Sequence, residues 1–383
     1  MDNHFPIRVV FDAHALTPHR SGIGEYSFQL LRALMHEEAK RIALHVFVPS
    51  GIHRVRSEDE LLVRCADVRD GDLYRPAHLW RLPRLLRAGE YDVLHCPDFF
   101  VPLRAPIPVV CTIHDLIPLV HPEFIPRSLK VRLLPVFRAW VGRALKSSAR
   151  VITDSEHSRA DILRLFRMDP DRIDAIPLAA TVDATGAALP PTLAATLRPS
   201  RYLLYVGRHD PYKGISQLLR AFAAASADGG FGDVQLAIAG RRDARYDIAG
   251  EAVALGVADR VVFLDYVPAE HLSPLYAHAM GLVFPSLYEG FGLPLLDAMR
   301  HGVPVLASNR ASLPEVAGDA ALLTDPEQPE LFARRLKEFV ESDTLRSELT
   351  QKGQQRCRQF SWKQTAEQTI DTYTRAMAPI QKR

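Results

Sequence analysis

The stretch SLYEGFGLPLLDAMRHGVPVLASNRASLPEVAG, residues 286–318, follows a short apolar run and contains a helix-forming one. Residues 281–286, GLVFPS, are β-prone, whereas residues 293–300 carry apolar Leu293, Leu296 and Met299 at helical spacing. A strand therefore runs into a helix through Glu289, Gly290, Phe291 and Gly292. The two glycines let backbone come close to a ligand and leave N–H groups open at a helix N-terminus, where the dipole and unpaired donors favour phosphate. Glu289 precedes the helix and Asp297 lies within it. Ionised carboxylates are acceptor-only partners for hydroxyl donors, so the first suits a sugar and the second ribose. A nucleotide sugar meets all of these requirements.

On both sides of this stretch, short β-rich runs alternate with amphipathic helical stretches, the pattern of parallel α/β layers. The expected strands are residues 7–11, 43–48, 93–95, 108–113, 151–153 and 173–176, then 202–206, 234–239, 261–264, 282–284, 304–306 and 321–323. This is an α/β chain with two doubly wound, Rossmann-like units. Residues 181–200, with Pro190, Pro191 and Pro199 and little periodicity, read as the linker. The expected domains are 1–182 and 183–364. Near the end, Ser361 is placed to cap a last helix with apolar Ala366, Ile370 and Tyr373. Open parallel sheets bind ligands at the carboxyl ends of their strands, so two facing sheets make one cleft.

The 383 residues suit two or three domains, and 47 basic against 45 acidic residues give no global field for nucleic acid. Cys65, Cys96, Cys111 and Cys357 lack the spacing of a zinc site or a disulfide framework and read as reduced thiols of a cytosolic protein. The beginning, MDNHFPIRVVFDAHAL, reads as a first strand and not as a signal peptide. No stretch approaches the ~20 apolar residues of a membrane helix.

After the strand at 202–206 comes VGRHDPYKG, in which Arg208 and Lys213 flank a Pro-containing turn. A forked guanidinium and a flexible ammonium on one point suit a diphosphate leaving group, on which charge grows as the sugar departs. The first strand leads to SGIGEYSFQLL, where Ser21, Gly22 and Gly24 open a helix. The third glycine of a dinucleotide fingerprint is replaced by Ser27, and the strand lies too far from Gly22, which argues against a dehydrogenase. His114 and Asp115 follow the strand PVVCTI. Neighbours on extended chain point opposite ways, so His114 faces the cleft and Asp115 organises the turn. Ser155 begins a helix and reads first as its N-cap. Asp70/Asp72 and Asp169/Asp171 form Asp-x-Asp pairs in polar surroundings and read as solvated turn acids. Since Arg208 and Lys213 supply the charge of a divalent cation, no metal and no cofactor is expected.

EGFGLPLLDAM, with GRHDPYKG before it, resembles the retaining GT-B glycosyltransferases of family 4, whose signature is Glu-x7-Glu in a context close to EGFGLPxLEAM. Asp297 stands where the second Glu is usual. The resemblance covers nearly the whole chain and is strongest over residues 206–318. It implies catalytic roles for Glu289, His114, Arg208 and Lys213, with His114 hydrogen-bonding the transferred sugar. It further implies donor contacts from Gly22, Gly24, Ser155, Arg208, Lys213, Tyr266, Val267, Glu289, Gly290, Phe291, Gly292, Leu293 and Asp297. Glu315, in ASLPEVAG, is another family-like position. The last helix, about 365–383, would cross back onto the N-terminal domain. HDLIPLVHPEF and GRHDPYK look most like members that add mannose in bacterial surface-polysaccharide assembly, which implies a GDP-mannose donor and a glycan or lipid-linked glycan acceptor. A UDP-sugar donor, a nucleotide-sugar epimerase and a non-catalytic nucleotide-sugar-binding scaffold are the alternatives. Transfer in this family is taken as front-face attack, with the leaving phosphate helping to deprotonate the acceptor, and a covalent intermediate is the alternative that the sequence leaves open.

Residues 75–87, RPAHLWRLPRLLR, place Arg81, Arg84 and Arg87 with Trp80 on one helical face and Leu79, Leu82, Leu85 and Leu86 on the other. Residues 126–150 carry seven basic residues and no acid, with Pro135 expected to kink a helix. Both stretches suit peripheral contact with an anionic surface at the inner face of the cytoplasmic membrane, although solvated helix faces have the same pattern.

Overall fold

The computed structural model describes residues 6–17, 21–37, 41–76, 78–126, 128–227, 229, 231–243 and 246–378, with the side chain of Leu73 left out. The chain forms two compact units. One comprises Met1–Val120, Arg127–Leu178 and Ser361–Arg383, and the other His121–Pro126 and Ala179–Phe360.

The first unit holds β1 (Ile7–Asp12), β2 (Ile42–Val48), β3 (Gly51–Arg54), β4 (Val93–Cys96), β5 (Val109–Thr112), β6 (Arg150–Thr153) and β7 (Ile173–Ala175). Their order is β3-β2-β1-β4-β5-β6-β7. Strands covered by helices on both faces read as unbroken apolar runs, and β4 (VLHC) and β5 (VVCT) are buried throughout. Val10, Leu94, Cys111, Val141 and Ile162 meet in the core beside them. The sequence reading missed β3. It pairs antiparallel with β2 from Val48↔Gly51 to His45↔Arg54, and four residues with one buried end give no period to detect.

The helix Trp362–Met377 belongs to this first unit. Ser361 caps it by accepting from the Gln364 N–H at 3.2 Å, and Ala366, Ile370 and Tyr373 are buried. Thr365 Oγ1 donates to the Pro177 carbonyl at 2.7 Å. Deeper in, the Tyr373 hydroxyl meets His95 Nδ1 at 2.7 Å, His95 Nε2 meets Thr112 Oγ1 at 2.9 Å, and the Tyr26 hydroxyl meets the same Thr112 oxygen at 3.0 Å. A buried polar group without a partner is costly, so this chain ties the helix to β4, β5 and the helix Gly22–Met35. The expected segment 365–383 begins later than the cap, and residues 379–383 lie outside the described ones.

The second unit holds β8 (Tyr202–Val206), β9 (Gln235–Ala239), β10 (Val261–Asp265), β11 (Gly281–Phe284), β12 (Val305–Ser308) and β13 (Leu322–Thr324), in the order β10-β9-β8-β11-β12-β13. Its pairs are parallel. The order reverses between β8 and β11, and a crevice opens at such a switch point beyond the carboxyl ends of the strands.

This unit takes in chain from Ala179 onward, a few residues earlier than the expected start at 183. The reason is local: Asp297 holds the N–H groups of Thr181 and Val182 at 2.6 and 3.0 Å, and Ser273 accepts from the Thr185 N–H at 3.0 Å. The segment His121–Pro126, absent from the sequence reading as a separate piece, also joins it. His121 and Phe124 stack at 4.6 Å, His121 meets the edge of Tyr288 at 5.4 Å, and Phe124 lies parallel to Tyr212 at 6.1 Å. Among the described residues no helix is long and apolar enough to cross a membrane.

Candidate active site

Lys213 follows β8 and Glu289 follows β11, so the switch point of the second unit brings them together. Lys213 Nζ donates to both Glu289 oxygens, at 2.7 and 2.8 Å, with the side chains 15% and 13% exposed. Burial disfavours the ammonium, but the Glu289 charge and its hydrogen bond outweigh that and hold Lys213 above the usual lysine range. The two loops are fixed to each other, since the Leu287 N–H donates to the Tyr212 carbonyl at 2.7 Å. Gly214 makes the close approach possible. Its φ is +75°, and a Cβ there would lie 2.2 Å from the Pro285 carbonyl oxygen.

The run from Glu289 to Leu293 is held from behind. Ser312, which the sequence reading did not single out, points its hydroxyl at the carbonyls of Glu289 and Phe291, 2.9 and 2.8 Å away. Gly292, at φ +111°, would put a Cβ 2.6 Å from Leu313 Cδ2. Phe291 is buried and meets Phe360 edge-on at 6.1 Å. Gly290 lies between these anchors, and Leu293 starts the helix Leu293–Arg300. A serine in a loop carries no signal for this role before the fold is known.

Asp297 departs from expectation. It is 4% exposed, and its carboxylate accepts from the Thr181 N–H, the Val182 N–H and the Thr181 hydroxyl, the last at 3.3 and 3.1 Å from its two oxygens. The group expected on ribose thus anchors the incoming chain. Arg208 is 74% exposed and steered by Asp210, with Nε 3.2 Å from Oδ2. The Tyr205 hydroxyl donates to the Arg208 carbonyl at 3.0 Å. Tyr266 is exposed and Val267 buried, just after Asp265, whose φ is +53° and whose carboxylate pairs with Arg242. Glu315 offers its backbone carbonyl to Arg356 at 2.6 Å.

In the first unit His114 follows β5, and both of its nitrogens are engaged. Nδ1 lies 2.7 Å from Asp154 Oδ2 and Nε2 3.1 Å from the Pro97 carbonyl. Each partner oxygen only accepts, so both nitrogens donate and the ring is an imidazolium. Burial opposes the charge, yet the Asp154 charge and hydrogen bond prevail and raise the His114 pKa to about 9. Tyr26 packs edge-on to it at 4.6 Å. The contact expected from His114 to a transferred sugar therefore has no uncommitted ring nitrogen. Asp115 organises the turn, accepting from the Ile117 N–H at 3.1 Å. Ser155 is fully buried and caps the helix Glu156–Leu165, accepting from the Ser158 N–H at 3.1 Å. Gly22 is exposed with open space where a side chain would go, whereas Gly24 is buried and donates its N–H to Ser21 Oγ at 3.3 Å. Asp72 is not the solvated acid expected. It is buried, pairs with Arg75 at 2.7 Å and accepts from the Arg69 N–H at 2.9 Å. Asp169 does organise an exposed turn, accepting from the Asp171 N–H at 3.0 Å.

Residues 20–183 match the family described as Glycosyltransferase Family 4, and residues 196–356 match Glycosyl transferases group 1. The O-antigen chain mannosyltransferase B of Escherichia coli is 32% identical over 385 residues, covering 96% of this chain and 99% of that protein. The chain is a family 4 glycosyltransferase. An MMP alpha-(1->4)-mannosyltransferase of Mycolicibacterium hassiacum is 29% identical, over 77% of this glycosyltransferase and 73% of its own length. Among solved structures, the sucrose-phosphate synthase of Thermosynechococcus elongatus superposes with a TM-score of 0.71 at 19% identity, over 96% of this chain and 98% of that one. The glycosyltransferase has the GT-B fold.

Proposed function

We propose that this glycosyltransferase moves mannose from GDP-mannose to a glycan or lipid-linked glycan in polysaccharide assembly, with retention and with no metal on the diphosphate. The observation that carries the reading is the Lys213–Glu289 pair at the switch point, with Arg208 on the neighbouring stretch. Similarity over nearly the full length to one mannosyltransferase, and over about three quarters of this chain to a second, supports the sugar.

In this reading a donor diphosphate draws the Lys213 ammonium and the Arg208 guanidinium toward the charge that develops on it. Glu289, released from full pairing with Lys213, accepts from sugar hydroxyls. The bond from C1 to the β-phosphate oxygen breaks with its electron pair going to that oxygen. The acceptor hydroxyl oxygen bonds C1 on the same face, and its proton passes to the departing phosphate. Asp154 and the Pro97 carbonyl fix His114 as a positive charge in the first unit. Gly22 offers the backbone of a helix start to a phosphate or sugar, whereas the Gly24 N–H is held by Ser21 Oγ. Tyr266 and Val267 form the approach to the base.

The test is nucleoside diphosphate release from GDP- and UDP-sugars, in chelator, with the anomeric form of the product read by NMR. GDP-mannose alone, an α-linked product and chelator-resistant turnover are the expected results. Turnover with UDP-sugars only overturns the donor, and a β-linked product overturns retention.

Peripheral attachment at the inner face of the cytoplasmic membrane is part of this proposal. The helix His78–Ala88 buries Leu82 and Leu86 and exposes Trp80, Arg84 and Arg87. Pro135 does not kink a long helix but starts one, Leu134–Ser147, after the short helix Leu129–Arg132. Leu129, Leu133 and Val136 stand exposed there beside Arg132 and Arg138. Ala77 and Arg127 of these stretches lie outside the described residues. Apolar side chains among cations suit an anionic lipid surface. Flotation with anionic but not neutral vesicles, reduced by Leu133→Asp with Val136→Asp, is the expected outcome. Equal flotation of parent and variant removes this surface from the proposal.

A further inference from the structure

β1 ends at Asp12, and the turn that follows it, Ala13-His14, brings the His14 ring back to the Asp12 carboxylate. The first residue of the helix His78–Ala88 comes to meet them. Asp12, His14 and His78 are 2%, 1% and 7% exposed, and one ligand atom from each lies within 4.8 Å of the others. Among the described residues no other grouping of His, Cys, Asp or Glu meets this geometry. The rings of His14 and His78 are 3.9 Å apart by their centroids, and Phe47 packs on both, at 4.5 and 5.4 Å.

The hydrogen bonding points to what is held there. His14 Nδ1 lies 2.7 Å from Asp12 Oδ1, which also accepts from the His14 N–H at 3.2 Å. A carboxylate accepts, so Nδ1 carries a proton, and in the neutral ring Nε2 then keeps its lone pair. That lone pair is buried and has no hydrogen-bond partner. Such orphans in a folded protein call for an explanation, an ion being one. A carboxylate holding one imidazole nitrogen so that the other faces a metal is the usual support of histidine ligands.

We propose that Asp12, His14 and His78 form a divalent transition-metal site of the zinc type, with His14 Nε2 and a His78 nitrogen as ligands and Asp12 as orienting or ligating carboxylate. Imidazole with carboxylate suits zinc or cobalt rather than magnesium or calcium. The site is separate from the diphosphate grip of Arg208 and Lys213, which belongs to the other unit. Its work is structural. It fastens the helix that carries Trp80, Arg84 and Arg87 to the end of β1.

Sequence reading passed over this site because Asp12 and His78 are far apart in the chain and a lone Asp-x-His is no motif. The experiment is titration of chelator-treated full-length protein with Co2+, read by its visible d–d absorption, followed by displacement with Zn2+. Saturable, stoichiometric binding with tetrahedral-type bands is expected. His14→Ala and His78→Ala should abolish the bands, Asp12→Asn should weaken binding about 10–100-fold, and His53→Ala, whose ring meets Ser50 Oγ at 2.9 Å, should not change them. His78→Phe keeps a ring against Phe47 and serves, with circular dichroism as the check, if an alanine variant does not fold. Absence of stoichiometric binding to the parent, or bands that survive in both His78 variants, overturns the proposal and leaves a buried water or proton at His14.

Discussion

Lys213 and Glu289 neutralise each other across the gap between two strand ends, the ammonium within 2.8 Å of both carboxylate oxygens. In the proposed reaction each is the partner that the other partly gives up, a diphosphate competing for the lysine and sugar hydroxyls for the glutamate. The pair is therefore charge-balanced, and a buried charge left alone is what its variants expose.

Glu289→Ala frees Lys213 and removes a negative charge beside the expected diphosphate. Sugar transfer should fall by roughly 10^2–10^3-fold, the scale of losing a transition-state electrostatic partner, while GDP affinity by calorimetry stays equal or rises. Lys213→Ala should instead weaken GDP binding about 10–100-fold, the loss of a charge-assisted hydrogen bond. Undiminished transfer by Glu289→Ala takes that residue out of the mechanism.

Asp297→Ala tests whether the carboxylate holds chain or nucleotide. It removes the acceptor for two backbone N–H groups and a hydroxyl. The expected cost is about 2–4 kcal/mol in denaturant unfolding, with GDP affinity changed less than about threefold. A large loss of GDP affinity at unchanged stability would return Asp297 to the ribose.

His114 sets a pH dependence whose sign follows from its raised pKa. Folded, it titrates at about 9 against an ordinary 6.5, since Asp154 overcomes the burial that opposes its charge. Its stabilisation is complete below about 6.5 and drains away as pH rises toward 9, by on the order of 3 kcal/mol in all. Urea midpoints across that window should fall in the parent and stay flatter in His114→Gln. Parallel slopes for the two proteins would show that another group titrates.

Ser312→Ala removes the hydroxyl held between the carbonyls of Glu289 and Phe291. The loop loses its rear support but no charged contact. A fall of roughly tenfold in kcat with little change in KM or Tm is expected, because misplacement of a catalytic group acts on the transition state. An effect on KM alone would mean that the loop positions donor and not Glu289.

By itself the sequence determined the two parallel α/β units, the strand-to-helix loop at 289–292 and the cations after β8. Each of these is local, written in apolar runs, glycine spacing and a short motif, which backbone sterics turn directly into structure. Tertiary structure alone decided which groups meet. It paired Lys213 with Glu289, turned Asp297 toward Thr181, closed both nitrogens of His114, buried Asp72 and gathered Asp12, His14 and His78. It also assigned His121–Pro126 to the second unit and Ser361–Arg383 to the first. The reason is physical: a side chain's partner is set by strand order and by the burial that order imposes. Charges and hydrogen bonds act over a few ångströms, a distance that separation along the chain does not encode.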